Sequence, residues 1–108
     1  MRDCAESAAL ILETLSNARR RQVVWLLVTI GEPVSVDTLA GFLAAAEAGE
    51  MTVATDRKRV RQLRNNLRHR HLDQLAAAGI IQWDERISMG PMFGAALRTL
   101  TASHSASI

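Results

Sequence analysis

The stretch DRKRVRQLRNNLRHRHLDQLAAA, residues 56–78, constrains this chain more than any other. Seven of the thirteen Lys and Arg residues fall in it: Arg57, Lys58, Arg59, Arg61, Arg64, Arg68 and Arg70. Val60, Leu63 and Leu67 recur at spacings of three and four, which places them on one side of a 3.6-residue helix, and His71 continues the line. Stepping around the same helix places Lys58, Arg61, Gln62, Asn65, Arg68 and His69 on the opposite side. Cations there suit phosphates, and amides and guanidinium groups suit base edges in a major groove. A solvated basic face without a partner is the plainer alternative. Two features count against it. The charge is nearly of one sign, so Glu–Lys pairing along the helix cannot account for it. Like charges this dense also repel unless a polyanion relieves them.

Both ends of the helix are legible. Thr55 is the expected N-cap, with Asp56 in the first turn where the helix dipole favours an anion. Gly79, after three alanines, fits a left-handed helix stop. The apolar line does not run straight, however. Leu72 and Leu75 are rotated from Val60 and Leu63 by roughly 90° at regular helical pitch. The sequence therefore predicts either one bent helix or two helices meeting near His69–Leu72.

A chain of 108 residues has room for one modest core,. We expect a single domain over 1–102, with an extra N-terminal helix at about 4–15 and a frayed tail at 103–108. Net charge is only +2, but it is unevenly distributed. Residues 1–54 hold four basic and seven acidic residues, and residues 55–108 hold nine and four. That asymmetry points to one half facing a polyanion. Cys4 is the only cysteine, so no intrachain disulfide can form,. The longest apolar run, Val23 to Ile30, is too short to span a bilayer. Asp3, Glu6 and Glu13 do not fit a secretory signal. A soluble cytoplasmic protein is expected.

The remaining elements follow from periodicity and punctuation. Residues 4–15 form an amphipathic helix with Ala8, Ile11, Leu12 and Leu15 as its stripe. This helix either caps the core or packs on a second copy of itself, which makes a homodimer one expected assembly. Ser16 and Asn17 are cap types for a second helix ending near Ile30, with Val23, Leu26, Leu27 and Ile30 inward and Val24 and Trp25 widening the stripe. Arg19, Arg20 and Arg21 stand at its start, where cations oppose the dipole. A DNA phosphate or salt bridges to Glu13 or Glu50 would compensate them. Gly31, Glu32 and Pro33 end the helix, and Val34 is a candidate strand residue. Ser35 caps a third helix that places Val36, Leu39, Phe42 and Leu43 inward. Residues 48–54 read as a loop. Ile80–Trp83 and Ile87–Met89 read as a hairpin around Asp84-Glu85-Arg86, with Ile81 and Trp83 on one face. A final helix is expected from about Gly94 to Thr101, with Phe93, Leu97 and Leu100 inward.

Three helices, then a basic helix, then a hairpin is the element order of a winged helix-turn-helix domain, mainly α with a small β-hairpin. In that fold the second helix of the motif enters the major groove, and the hairpin, or wing, lies near the backbone or minor groove. Arg86 sits at the tip of this wing. Specific residues add a resemblance. Leu15-Ser16-Asn17-Ala18-Arg19-Arg20-Arg21 followed by VVWLL resembles the opening helix of ArsR-like winged-helix regulators. His71-Leu72-Asp73-Gln74-Leu75 with Ala78-Gly79-Ile80-Ile81 resembles their exit from basic helix to wing. The pattern Leu67-x-His69-x-His71-Leu72, with DRKRV at 56–60, is more similar still to a family of small winged-helix proteins widespread in haloarchaea. The resemblance spans roughly residues 10–90 and implies an archaeal regulator. The chain departs from that family in having Asp73 where proline is common, and in being basic where haloarchaeal proteins are acidic.

No catalytic constellation, phosphate-cradling glycine loop or metal-ligand spacing stands out. His69 and His71 are two apart and face different ways on a helix. His71 is expected as a core histidine hydrogen-bonded to backbone. Neither an enzyme activity nor a cofactor is expected. The sequence supports a transcription regulator reading double-stranded DNA through Lys58, Arg61, Gln62, Asn65, Arg68 and His69, with Arg57, Arg64 and Arg86 on phosphates. A protein-interaction module on the same scaffold is the alternative. RNA binding is weaker, because no aromatic residue interleaves the basic run.

Overall fold

The computed structural model describes residues 4–49 and 56–106. Six α-helices and one hairpin are found among them: α1 Cys4–Thr14, α2 Ala18–Ile30, α3 Val36–Ala48, α4 Arg57–Asn66, α5 Leu72–Ala77, β1 Ile81–Trp83, β2 Ile87–Met89 and α6 Phe93–Ala106. A π-helical turn, Leu67–His71, joins α4 to α5 without a break in helical backbone. The fold is thus mainly helical with a two-stranded antiparallel sheet.

The π turn resolves the phase drift of the basic stretch. The N–H of Leu72 reaches back five residues to the Leu67 carbonyl. One residue inserted into a helix turns everything beyond it by about 100°. That rotation returns Leu72 and Leu75 to the side occupied by Leu63 and Leu67, and all four are buried. The stretch is therefore one continuous helical path, and at the junction expected near His69–Leu72 a π turn, rather than a break between two helices, absorbs the drift. Its N-cap is Asp56, whose carboxylate accepts from the N–H groups of Lys58 and Arg59 at 3.1 and 3.3 Å. The expected cap, Thr55, lies outside the described residues, as do most of the expected loop at 48–54 and Glu50.

Asn17 caps α2 through its side-chain oxygen, accepting from Arg19 and Arg20, and Ser35 caps α3 by accepting from Thr38. The core gathers Val23, Val24 and Leu27 of α2, Leu39, Ala40 and Leu43 of α3, and Leu63, Leu67, Leu72 and Leu75 of the basic stretch. Ile80, Ile81 and Ile87 of the hairpin region, with Phe93, Ala96 and Leu100 of α6, complete it.

Several expected stripes are turned relative to the sequence reading. In α1, Ile11 and Leu15 are buried, but Ala8 is exposed and Leu12 is 58% exposed. The buried side instead passes through Thr14, whose hydroxyl donates to the Leu10 carbonyl at 2.7 Å. In α2, Leu26 and Ile30 are only half-buried and Trp25 is exposed. In α3, Phe42 is 40% exposed, and Ala40 and Ala44 take inward positions because small side chains let neighbouring helices approach closely. In α6, Ala96 is fully buried and Leu97 half-buried. That helix runs on to Ala106, through residues expected as tail.

The hairpin is in the register Ile81↔Met89, Gln82↔Ser88, Trp83↔Ile87. Val34 joins it: its N–H donates to the Ile87 carbonyl at 3.0 Å, and the Ile87 N–H donates back at 2.7 Å. This bridge ties the α2–α3 connection to the hairpin. Gly79 takes φ +75°, the left-handed conformation that stops α5,. Gly90 passes so close to the Gly79 carbonyl that an added Cβ would sit 2.5 Å from its oxygen. These two glycines fix how the hairpin leaves the basic helix. No described helix is long and apolar enough to cross a membrane.

Candidate nucleic-acid interface

The outward side of the basic stretch is as the sequence places it. Lys58, Arg61, Gln62, Asn65, Arg68 and His69 are all exposed. They stand on a helix whose other side, through Leu63, Leu67, His71, Leu72 and Leu75, is buried against α3 and the rest of the core. Burial of that side fixes which way the exposed row faces.

The cations fall into two groups. Two of the seven are engaged with acids: Arg59 with Glu47 at 2.9 Å, and Arg64 with Asp37 at 3.2 Å. Among the described residues, Arg57, Lys58, Arg61, Arg68 and Arg70 have no acid partner. The expected phosphate contact Arg64 is therefore held by α3, but weakly. Asp37 is 72% exposed in its side chain, and pairs at that exposure contribute on the order of 0.2–1 kcal/mol,. Arg57 is exposed beside a groove between α3 and α4, of about 740 Å³, which Phe42, Val60 and Arg61 also line.

Arg86 is exposed in the three-residue connection of the hairpin. Asp84 and Arg86 close that connection, the Asp84 N–H donating to the Arg86 carbonyl and the Arg86 N–H to the Asp84 carboxylate, both at 3.3 Å. Asp84 and Glu85 give the tip two negative charges against one positive, which weakens its attraction for phosphate. Glu85 also lines a small cleft with Arg64 and Arg68, so the hairpin tip lies alongside the basic row.

The arginine triple of α2 is used within the chain. Arg19 makes a two-pronged pair with Glu47, both contacts at 2.8 Å, and donates to the Asn66 side-chain oxygen at 2.8 Å. Arg20 and Arg21 donate to the carbonyls of Thr14 and Leu15 at 2.6 and 2.8 Å, satisfying groups left open where α1 ends,. The acid that takes up Arg19 is thus Glu47. Glu13 acts only as a nearby favourable charge for Arg20, which burial and the like charge of Arg70 hold below its usual pKa.

His69 and His71 part company as expected, one exposed and the other 2% exposed. The expected backbone hydrogen bond of His71 is not found for Nδ1, which is buried without a partner. Burial first, then the charges of Arg20, Arg19 and Arg70, push its pKa down to about 4, against a small opposing pull from Glu47. The ring is neutral at pH 7.

The molecule so described belongs to a class of mainly helical domains in which a basic helix leads directly into a hairpin. Within that class, a family model described as "Domain of unknown function (DUF7344)" matches residues 12–89, and the chain belongs to that family. The match begins inside α1 and ends with β2, so it takes in the basic helix and the hairpin whole. No curated protein and no solved structure matches the chain.

Proposed function

We propose that this chain is a winged helix-turn-helix regulator that reads the major groove of double-stranded DNA with the outward row of its basic helix, residues 56–78. The single observation carrying this reading is the row Lys58, Arg61, Gln62, Asn65, Arg68 and His69, exposed together on a helix backed by the core. Three of the six are cations with no acid partner among the described residues. Gln62 and Asn65 are the amides able to hydrogen-bond a base edge in two places, and Arg61 and Arg68 suit guanine. Arg57, and Arg64 after exchange of its exposed partner Asp37, take phosphates. Arg86 is the hairpin's contact to backbone or minor groove, working against Asp84 and Glu85. The antiparallel bridge from Val34 to Ile87 also supports the winged reading, because it holds the hairpin against the start of α3. A second copy packing on α1 through the exposed Leu12 would supply the two-fold symmetry common among such readers,. In this reading the chain is not an enzyme and works in the cytoplasm.

A protein-binding module is the second reading, and one observation favours it: Phe42 is 40% exposed in the groove beside the basic row. Mobility-shift assays on genomic fragments over a salt series separate the two. The regulator reading predicts selective, salt-sensitive retardation. Replacing Arg61 or Asn65 with alanine then costs about 1–3 kcal/mol on the preferred fragment and relaxes its selection. Absence of retardation at low salt would give the surface to a protein partner.

A further inference from the structure

On the flank of the same helix, away from the reading row, lies a second polar feature. A cleft of about 460 Å³ opens between the start of α2, the end of α3 and the π turn. Its lining includes Asn17, Gln22, Asn66, Arg70 and His71, together with the Arg19–Glu47 pair, in which the carboxylate is already neutralised by two guanidinium contacts. Arg70 stands in the π turn next to His69, so successive positions there point different ways, and unlike the row residues Arg70 lines this cleft,. We infer that this cleft binds a small polar molecule carrying an oxyanion, held by donation from the Arg70 guanidinium and from the Nδ1–H of the neutral, buried His71 in the tautomer that protonates its unpaired nitrogen.

Three observations meet here. The imidazole of His71 lines the cleft yet is almost wholly enclosed, and its Nδ1 has no hydrogen-bond partner; a buried polar atom left unpaired is costly, and a ligand relieves that cost once the ring edge shifts toward the cleft,. Arg70 lacks an acid partner among the described residues, while the neighbouring Arg19 is already taken up by Glu47 and Asn66. Burial first, and then the like charge of Arg70, hold the Arg20 guanidinium below its usual pKa, so Arg70 is a charge that its neighbours inside the chain do not welcome. The amide groups of Gln22, Asn17 and Asn66 make the walls polar, which suits a hydrophilic ligand. The volume lies within the range of small-molecule sites, about 300–1,000 Å³. The π turn itself builds the cleft: the inserted residue carries Arg70 and His71 to positions a regular helix would not give them. The inference stands independently of DNA reading, since none of its groups belongs to the reading row.

The test is a titration of the full chain at pH 7, followed by the ¹⁵N resonances of the histidine rings. Inorganic phosphate and acetate are the probes, added at constant ionic strength against chloride. The result expected is a saturable shift of the His71 ring nitrogens in the millimolar range, with His69 unmoved. Arg70→Ala, an exposed substitution, should weaken that binding about tenfold without changing the thermal midpoint. Saturation by phosphate alone assigns a phosphate-bearing ligand, and saturation by acetate alone a carboxylate. Shifts that do not saturate, that chloride reproduces, or that survive Arg70→Ala would overturn the site. So would a response at Arg70 to duplex DNA with none to either small anion, which would give that arginine to the nucleic-acid backbone.

Discussion

His71 is an ionisable side chain that the fold keeps neutral. Its pKa in the native protein is about 4, below the value of about 6.5 for an unfolded histidine,. The unfolded chain therefore takes up a proton first as pH falls. The stability gained from a neutral ring is complete above about pH 6.5 and is lost progressively down to about pH 4. The shift corresponds to about 3 kcal/mol at most. Urea unfolding at pH 7 and pH 4.5 should show that loss, and His71→Phe should flatten it relative to the native chain. An identical pH dependence in both proteins would show that the ring is not kept neutral by burial. At the same scale, the sequence placed every member of the outward row correctly, because charge and amide chemistry decide exposure almost alone. It misjudged Leu12, Phe42 and Leu97, and overlooked Thr14, because apolar periodicity gives the direction of a stripe but not its width. Width depends on which neighbour arrives. Alanines at 40, 44 and 96 did the packing that larger residues were expected to do.

The elements were legible wherever punctuation was strong. Asn17, Ser35, Gly31 and Gly79 all mark the ends that their chemistry favours. Between Leu67 and Leu72 the slipped apolar phase was visible as a symptom without its remedy, since a bend, a break and a π turn all absorb the same rotation. A deletion experiment distinguishes them. Removing the exposed His69 converts the π turn to regular helix while leaving Leu63, Leu67, Leu72 and Leu75 on one side, so the protein should stay folded with a small change in thermal midpoint. Removing Gln62 instead turns α4 by about 100° against everything beyond it and lifts Val60 away from the core. Val60 is half-buried, so its loss costs about 1 kcal/mol, and the Arg59–Glu47 pair is turned away with it,. Equal destabilisation by the two deletions would contradict the role given to the π turn. The arginine triple was the element least legible from sequence. Two of its partners, the Thr14 and Leu15 carbonyls, are backbone groups that side-chain patterning does not reveal, and the third, Glu47, arrives from α3, 28 residues on.

Across the whole molecule, the acidic first half and basic second half are brought together where their charges can cancel, and there they do. Glu47 takes Arg19 and Arg59, and Asp37 holds Arg64. What is left over is a row of cations facing outward on α4 and the π turn, and the proposed function rests on that remainder. The hairpin adds little net charge, because Asp84 and Glu85 offset Arg86. The electrostatic attraction for a polyanion should therefore come mainly from the helix, with Arg86 the hairpin's single contribution and few phosphate contacts in total. Fluorescence anisotropy of a labelled duplex, titrated with the intact chain over a salt series, tests this most directly when the Lys58→Ala/Arg61→Ala/Arg68→Ala variant is run alongside. With about three phosphate contacts from Arg57, Arg64 and Arg86, log K should fall against log salt with a slope of about −3, steeper if cations of the row also meet phosphates. The triple variant should lose binding at every salt concentration while keeping its thermal midpoint. Binding that ignores salt, or a triple variant that binds as tightly as the native chain, would contradict the account.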